Sequence, residues 1–152
     1  MATKKAYVKE IKGQANELTF LGKSDSNHWI TMDAPGEAGG SHAGVSPKEL
    51  LLIGLAGCTG SDVVTILRKK RVHTDDFEMN ITAEVSDEHP KVFTKLNVEY
   101  VFYGENIPQK DVERAIELSL TKYCSVTKML EKAVPITHTY RIEQRKEAPA
   151  EI

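Results

Sequence analysis

Two cysteines offer most of the chemistry in this chain. Cys58 and Cys124 are its only thiols and stand 66 positions apart (124 − 58). Cysteine is most often a small buried hydrophobe, and an inert fate is one reading of each. Their settings argue for another. At about 100° per residue, Gly54, Gly57, Cys58 and Ser61 share one broad helix face with little bulk except the thiol. A helix, a ligand or both must approach such a face. Cys124 stands near a break between two helices, in Lys122-Tyr123-Cys124-Ser125-Val126. Backbone N–H groups at the next helix start favour a thiolate there. An ordinary thiol is only a few per cent ionised at neutral pH, so a reactive one needs such help. Glu49 is the third candidate. A capping box with Ser46 explains it structurally, yet that box uses only part of the carboxylate's acceptor capacity.

The element that carries Cys58 starts at Ser46, the N-cap, with Pro47 at the first helical position and Glu49 at the third. Leu50, Leu51, Leu52 and Ile53 point around the whole circumference, which predicts a buried helix. Gly54, Gly57 and Gly60 interrupt its interior at a cost of roughly 1 kcal/mol each relative to alanine. The helix runs on through Val63, Val64, Ile66 and Leu67 to Arg68-Lys69-Lys70-Arg71, a solvated basic end suited to the helix dipole. Before it, Lys5–Ile11, Glu17–Gly22 and His28–Asp33 read as a meander of strands, with a turn over Gly22–Asn27. Ala34–Val45, rich in Gly, Ala, Pro and Ser, reads as a loop. After it, alternation over Met79–Val85 and Leu96–Phe102 predicts an antiparallel hairpin through Ser86–Lys91. Pro108 opens a helix with Val112, Ala115, Ile116 and Ser119 on one stripe. A short helix over Val126–Lys132 follows, and Pro135 ends it. Ile136, His138, Tyr140 and Ile142 alternate as a last strand. The class is α+β with largely antiparallel sheet. We read one domain over residues 1–145 and a disordered tail at 146–152.

Composition narrows the function classes. The 152 residues are 40% hydrophobic and 28% charged, as in a soluble globular domain. A net charge of −2 gives no reason to expect nucleic acid or an anionic membrane as partner. Met1–Gly13 is lysine-rich without an apolar core, so it does not read as a secretory signal. The apolar run Leu50–Gly57 is too short to span a bilayer. Two cysteines make no secreted disulfide scaffold, and the expected location is the cytoplasm. No dinucleotide, P-loop or zinc-protease motif occurs, and the histidines at 28, 42, 73, 89 and 138 show no metal-ligand spacing. No metal and no cofactor are expected.

Ser46-Pro47-Lys48-Glu49-Leu50-Leu51, then Gly57-Cys58-Thr59, and later Tyr123-Cys124-Ser125-Val126 closely resemble the OsmC/Ohr family. The resemblance runs from about Leu18 to Ile142, and Glu17–Gly22 and Lys122–His138 look most like an OsmC-like branch of redox proteins. It implies an intertwined α+β homodimer with antiparallel sheets wrapped around long central helices. It implies a thiol peroxidase that reduces organic hydroperoxides in oxidative-stress defence and is recycled by a dithiol such as a lipoyl group. By motif, Cys58 matches the attacking thiol, Cys124 the resolving thiol and Glu49 the carboxylate that holds a supporting arginine. That arginine does not carry over, because no arginine precedes Arg68. Lys23, Lys48, His28 and His42 are the nearby cationic candidates, and a lysine cannot copy a bidentate guanidinium. The missing arginine favours a second reading, a non-catalytic OsmC-fold protein that binds a small molecule or partner in the glycine-lined cleft. Nine residues separate Glu49 from Cys58, about 13 Å of rise and a net rotation of roughly 180° on one helix, so a partner's Glu49 is expected to approach Cys58 instead.

Overall fold

The computed structural model describes residues 1–12 and 18–144. Glu17 of the second expected strand and the expected tail lie outside them. The chain divides into two compact units, Met1–Leu52 and Ile53–Ile152.

In the first unit β1 (Ala6–Ile11), β2 (Thr19–Ser24) and β3 (Trp29–Asp33) form the expected antiparallel meander in the order β1-β2-β3. β2 runs two residues further than expected because Gly22 and Lys23 are paired on both sides, with Val8 and Tyr7 of β1 and with Ile30 and Trp29 of β3. The turn therefore tightens to Asp25–Asn27, closed by the Asn27 N–H donating to the Ser24 carbonyl at 2.9 Å. The loop after β3 is not structureless. A single 3₁₀ turn forms over Gly36–Ala38, and Val45 returns to bridge Met32. β1 is exposed along its whole length.

The helix α1 (Glu49–Lys69) starts two residues later than expected, because Pro47 and Lys48 form a turn closed by the Glu49 N–H on the Ser46 carbonyl at 3.0 Å, and it ends within the basic run. The Ser46 N–H donates to Glu49 Oε2 at 3.0 Å, and the Glu49 N–H donates to Ser46 Oγ at 3.3 Å. Leu55, Thr59, Val63 and Leu67, each four residues apart, form its buried stripe. The prediction of burial on all sides fails in the isolated chain: Leu51 is 50% exposed and Ile53 57% exposed. Length and composition alone would let α1 cross a bilayer, with 21 residues and a mean hydropathy of 1.9 over its most apolar 18 residues. The short apolar run underestimated it because the helix continues past Gly57 through Val63, Val64, Ile66 and Leu67. The core helix of a globular protein passes the same test.

The second unit is built on β4 (Asp76–Val85), β5 (Phe93–Tyr103) and β6 (Ile136–Glu143), in the order β4-β5-β6. β4 and β5 are the expected hairpin, with one irregularity at Glu84/Val85. β6 pairs parallel to β5, from Leu96↔Ile136 to Tyr103↔Glu143. The intervening chain makes that possible. The helices α2 (Gln109–Leu118) and α3 (Ser125–Leu130) supply the long crossover that a parallel pair requires. β5, the central strand, buries Leu96, Val98, Tyr100 and Phe102 completely or nearly so. α2 buries Val112, Ala115 and Ile116 of the expected stripe, and Ser119 is buried just past its end. Gly60 lets α1 approach this sheet. A Cβ there would lie 2.7 Å from Met79 Sδ and 3.3 Å from Phe77 Cε1.

Candidate functional site

Helical spacing starts the site. Cys58 and Asp62 are four residues apart on α1 and so face the same way. Thr59 lies beside them on the buried stripe. The other side of the site comes from the end of α2. Beyond Leu118 the helix widens into one π-turn over Ser119–Tyr123, and Cys124 then caps α3. Widened turns of this kind recur at functional sites.

The two thiols that sequence singled out are brought together. Cys58 Sγ, Cys124 Sγ and a carboxylate oxygen of Asp62 all lie within 4.8 Å of one another. Cys58 is half-buried and Cys124 fully buried, and both are free thiols. The Cys124 sulfur accepts from Thr127 Oγ1 at 3.1 Å and from the Thr127 N–H at 3.4 Å. Those donors lower its pKa, as the helix-start argument anticipated, but burial outweighs them. The net shift at Cys124 is upward, with the neighbouring Cys58 sulfur adding to it.

A chain of hydrogen bonds runs inward from the sulfurs. Ser119 Oγ donates to Asp62 Oδ2 at 3.0 Å and lies 2.9 Å from Thr59 Oγ1. Thr59 Oγ1 is 2.7 Å from Tyr100 Oη, and Tyr100 Oη is 3.3 Å from His138 Nδ1. Burial pushes the Tyr100 phenol up to about 12, so it remains a neutral hydroxyl. Burial also pushes the His138 imidazole down, with Glu131 opposing, so neutral imidazole is favoured. Sequence reasoning did not assign Asp62, Thr59, Ser119, Tyr100 or His138. Only Asp62 carried a signal, its i+4 distance from Cys58. The others meet through tertiary packing.

Glu49 is not brought to Cys58. On the continuous α1 helix the two stay nine residues apart, on opposite sides. Its carboxyl is held below the usual range, first by the Ser46 N–H and then by the Ser46 hydroxyl. Glu49 lines a cavity of about 580 Å³ with Asp33, His42 and Ser46. Of the cations considered for the family arginine's place, His42 lines this cavity, and Lys48 exerts a favourable charge on Glu49. Asp33 was not anticipated either. Ser41 and the Ala43 N–H hold its carboxyl down at about 2.

The open glycine face is present as predicted. Among the described residues, and apart from the helix's own neighbouring backbone, nothing lies within 4 Å of a Cβ built at Gly54 or Gly57. Gly57, Gly60, Ser61, Arg68 and Met79 help to line a groove of about 510 Å³ along it.

The sequence profile of the OsmC-like protein family matches residues 39–139. The chain belongs to the OsmC-like family. It is 44% identical over 137 residues to "Protein YhfA" of Escherichia coli (strain K12), covering 90% of this chain and 96% of that one. A hypothetical protein from Aquifex aeolicus VF5 superposes with a TM-score of 0.79 at 29% identity, over 96% of this chain and 100% of that one. A Legionella pneumophila structure described as an organic hydroperoxide resistance protein OsmC shares the fold. Its TM-score is 0.62 at 18% identity, over 92% of this chain and 97% of that one. The mixed α+β architecture predicted from sequence is that of this family.

Proposed function

We propose that this OsmC-like protein is a thiol-dependent reductase of organic hydroperoxides, acting in oxidative-stress defence. The observation that carries the reading is the meeting of Cys58 and Cys124 sulfurs, one half-buried and one buried, from elements 66 positions apart in sequence. In the first step the Cys58 thiolate attacks the peroxide oxygen. The O–O bond breaks, the alcohol leaves and Cys58 becomes a sulfenic acid. In the second step Cys124 attacks that sulfur, a disulfide forms and water departs. A dithiol reductant then returns both thiols by exchange. Capture by Cys124 protects Cys58 from irreversible over-oxidation.

The proposed assembly is a homodimer in which each helix α1 covers the other's glycine face. Exposed Leu51 and Ile53 on α1, and exposed Tyr7, Val8, Trp29 and Ile30 on the first sheet, support it. In that arrangement the partner's Glu49 approaches Cys58, with Lys48 or His42 in the cationic role. The cytoplasm is the proposed location and a single domain the proposed organisation. The test is mass spectrometry of the reduced protein before and after one equivalent of cumene hydroperoxide. Loss of two hydrogens per chain, with consumption of the peroxide, is expected.

A second reading is favoured by particular observations. No arginine precedes Arg68, and burial raises the Cys124 thiol. A non-catalytic OsmC-fold protein that binds a small molecule or partner along the glycine groove would leave the mass unchanged in the same experiment.

A further inference from the structure

The Cys58–Asp62–Cys124 cluster contains a group that the peroxide reading does not use. Asp62 places a carboxylate oxygen beside two sulfurs, all three atoms within 4.8 Å. In a tetrahedral zinc site with Zn–S near 2.3 Å and Zn–O near 2.0 Å, neighbouring ligand atoms stand roughly 3.5–3.8 Å apart. The three donors thus need to draw in by only about 1 Å to share one cation. We propose that the reduced protein binds one thiophilic divalent cation, of the zinc class, through Cys58 Sγ, Cys124 Sγ and a carboxylate oxygen of Asp62.

Donor chemistry selects the class. Two sulfurs exclude magnesium and calcium, which take oxygen, whereas zinc accepts thiolate and carboxylate together. The surroundings resemble those of a ligand set that is held in place. Ser119 Oγ donates to Asp62 Oδ2 at 3.0 Å and is hydrogen-bonded to Thr59 Oγ1, which is in turn hydrogen-bonded to Tyr100 Oη. Thr127 donates twice to the Cys124 sulfur. Outer hydrogen bonds of this kind orient metal ligands. Asp62 also lines a cavity of about 350 Å³ together with Thr65, Leu118 and Tyr123. Three protein ligands leave a fourth position for water.

Binding involves no electron transfer. Two S–H bonds are replaced by two metal–sulfur bonds, and two protons leave to solvent. A Cys58–Cys124 disulfide would occupy both sulfurs, so metal and disulfide exclude each other. The cation is held only by the reduced protein and is released on oxidation. This site stands whether or not the chain turns over peroxide.

The test uses the reduced full-length chain without oxygen, titrated with Co2+ for its thiolate charge-transfer band and with Zn2+ against a chromophoric chelator. The expected result is one ion per chain with release of two protons. Cys58→Ser and Cys124→Ser should each lose the charge-transfer intensity of one sulfur and bind far more weakly. Asp62→Asn should weaken binding by at least about 10–100-fold, the range seen even for outer partners, while keeping both sulfur bands. Asp62→Glu, which restores the carboxylate, should recover most of that loss. The disulfide form, prepared with diamide, should bind nothing. Failure of the reduced parent to compete with the chelator overturns the proposal. So does equal affinity in Asp62→Asn and parent, an Asp62→Glu variant as weak as Asp62→Asn, or metal retained by the disulfide form.

Discussion

Adding one methyl group at each glycine of α1 separates contacts made within the chain from those made by a second copy. Alanine in a helix interior is better than glycine by about 1 kcal/mol. At Gly60 that gain meets resistance, because the new Cβ would lie 2.7 Å from Met79 Sδ and 3.3 Å from Phe77 Cε1. Met79 is flexible and can yield, but the Phe77 ring is packed at 5.0 Å, centroid to centroid, on Phe102. Overpacking costs about 1–3 kcal/mol, so Gly60→Ala should lose about 1 kcal/mol net. For a chain of this size that lowers Tm by about 2–4 °C. At Gly57 no described residue beyond the helix's own neighbouring backbone lies within 4 Å, so the isolated protomer should gain the full helical preference. If α1 packs across its glycine face on a second copy, the same methyl group is forced into the partner. Gly57→Ala should then lower Tm and shift the dimer toward monomer. The assay is thermal unfolding by circular dichroism at one fixed protein concentration, with sedimentation velocity on the same samples. A Gly60→Ala variant as stable as the parent refutes the packing argument. A Gly57→Ala variant with raised Tm and unchanged oligomeric state refutes helix packing across that face.

Three further outcomes are expected. Cys58→Ser should abolish peroxide consumption, whereas Cys124→Ser should allow one turnover and then accumulate sulfinic and sulfonic Cys58, read by mass spectrometry. Thr127→Val removes the hydroxyl that donates to the Cys124 sulfur and lowers its pKa, so iodoacetamide labelling of Cys124, measured in the Cys58→Ser background, should shift to higher pH. Asp33 has a depressed folded pKa of about 2, so its contribution is present above the unfolded value near 3.9 and is lost as pH falls between the two. Urea unfolding across that window should therefore show a steeper loss of stability in the parent than in Asp33→Asn.

Local rules carried much of this protein. Ser46 and Glu49 state the helix start within four residues, and both reciprocal hydrogen bonds form. Period-two alternation marked β4, β5 and β6, and Pro108 and Pro135 bounded the helical crossover, because these signals depend only on backbone geometry and one solvent-facing side. The thiols were legible by type and by the bare face around Cys58. What no local rule supplies is long-range adjacency. Cys58 meets Cys124 because α1 lies on the β4–β5 sheet while a π-turn ends α2 beside it. Asp62 becomes a neighbour of both sulfurs, and Thr59, Ser119, Tyr100 and His138 become one chain, only through that packing. The direction of β6 was likewise undetermined, since alternation gives a strand its faces but not its neighbour or its sense. The sign of the Cys124 shift was open for the same reason. Its hydrogen-bond donors are sequence-local, but the burial that outweighs them is made by the whole fold.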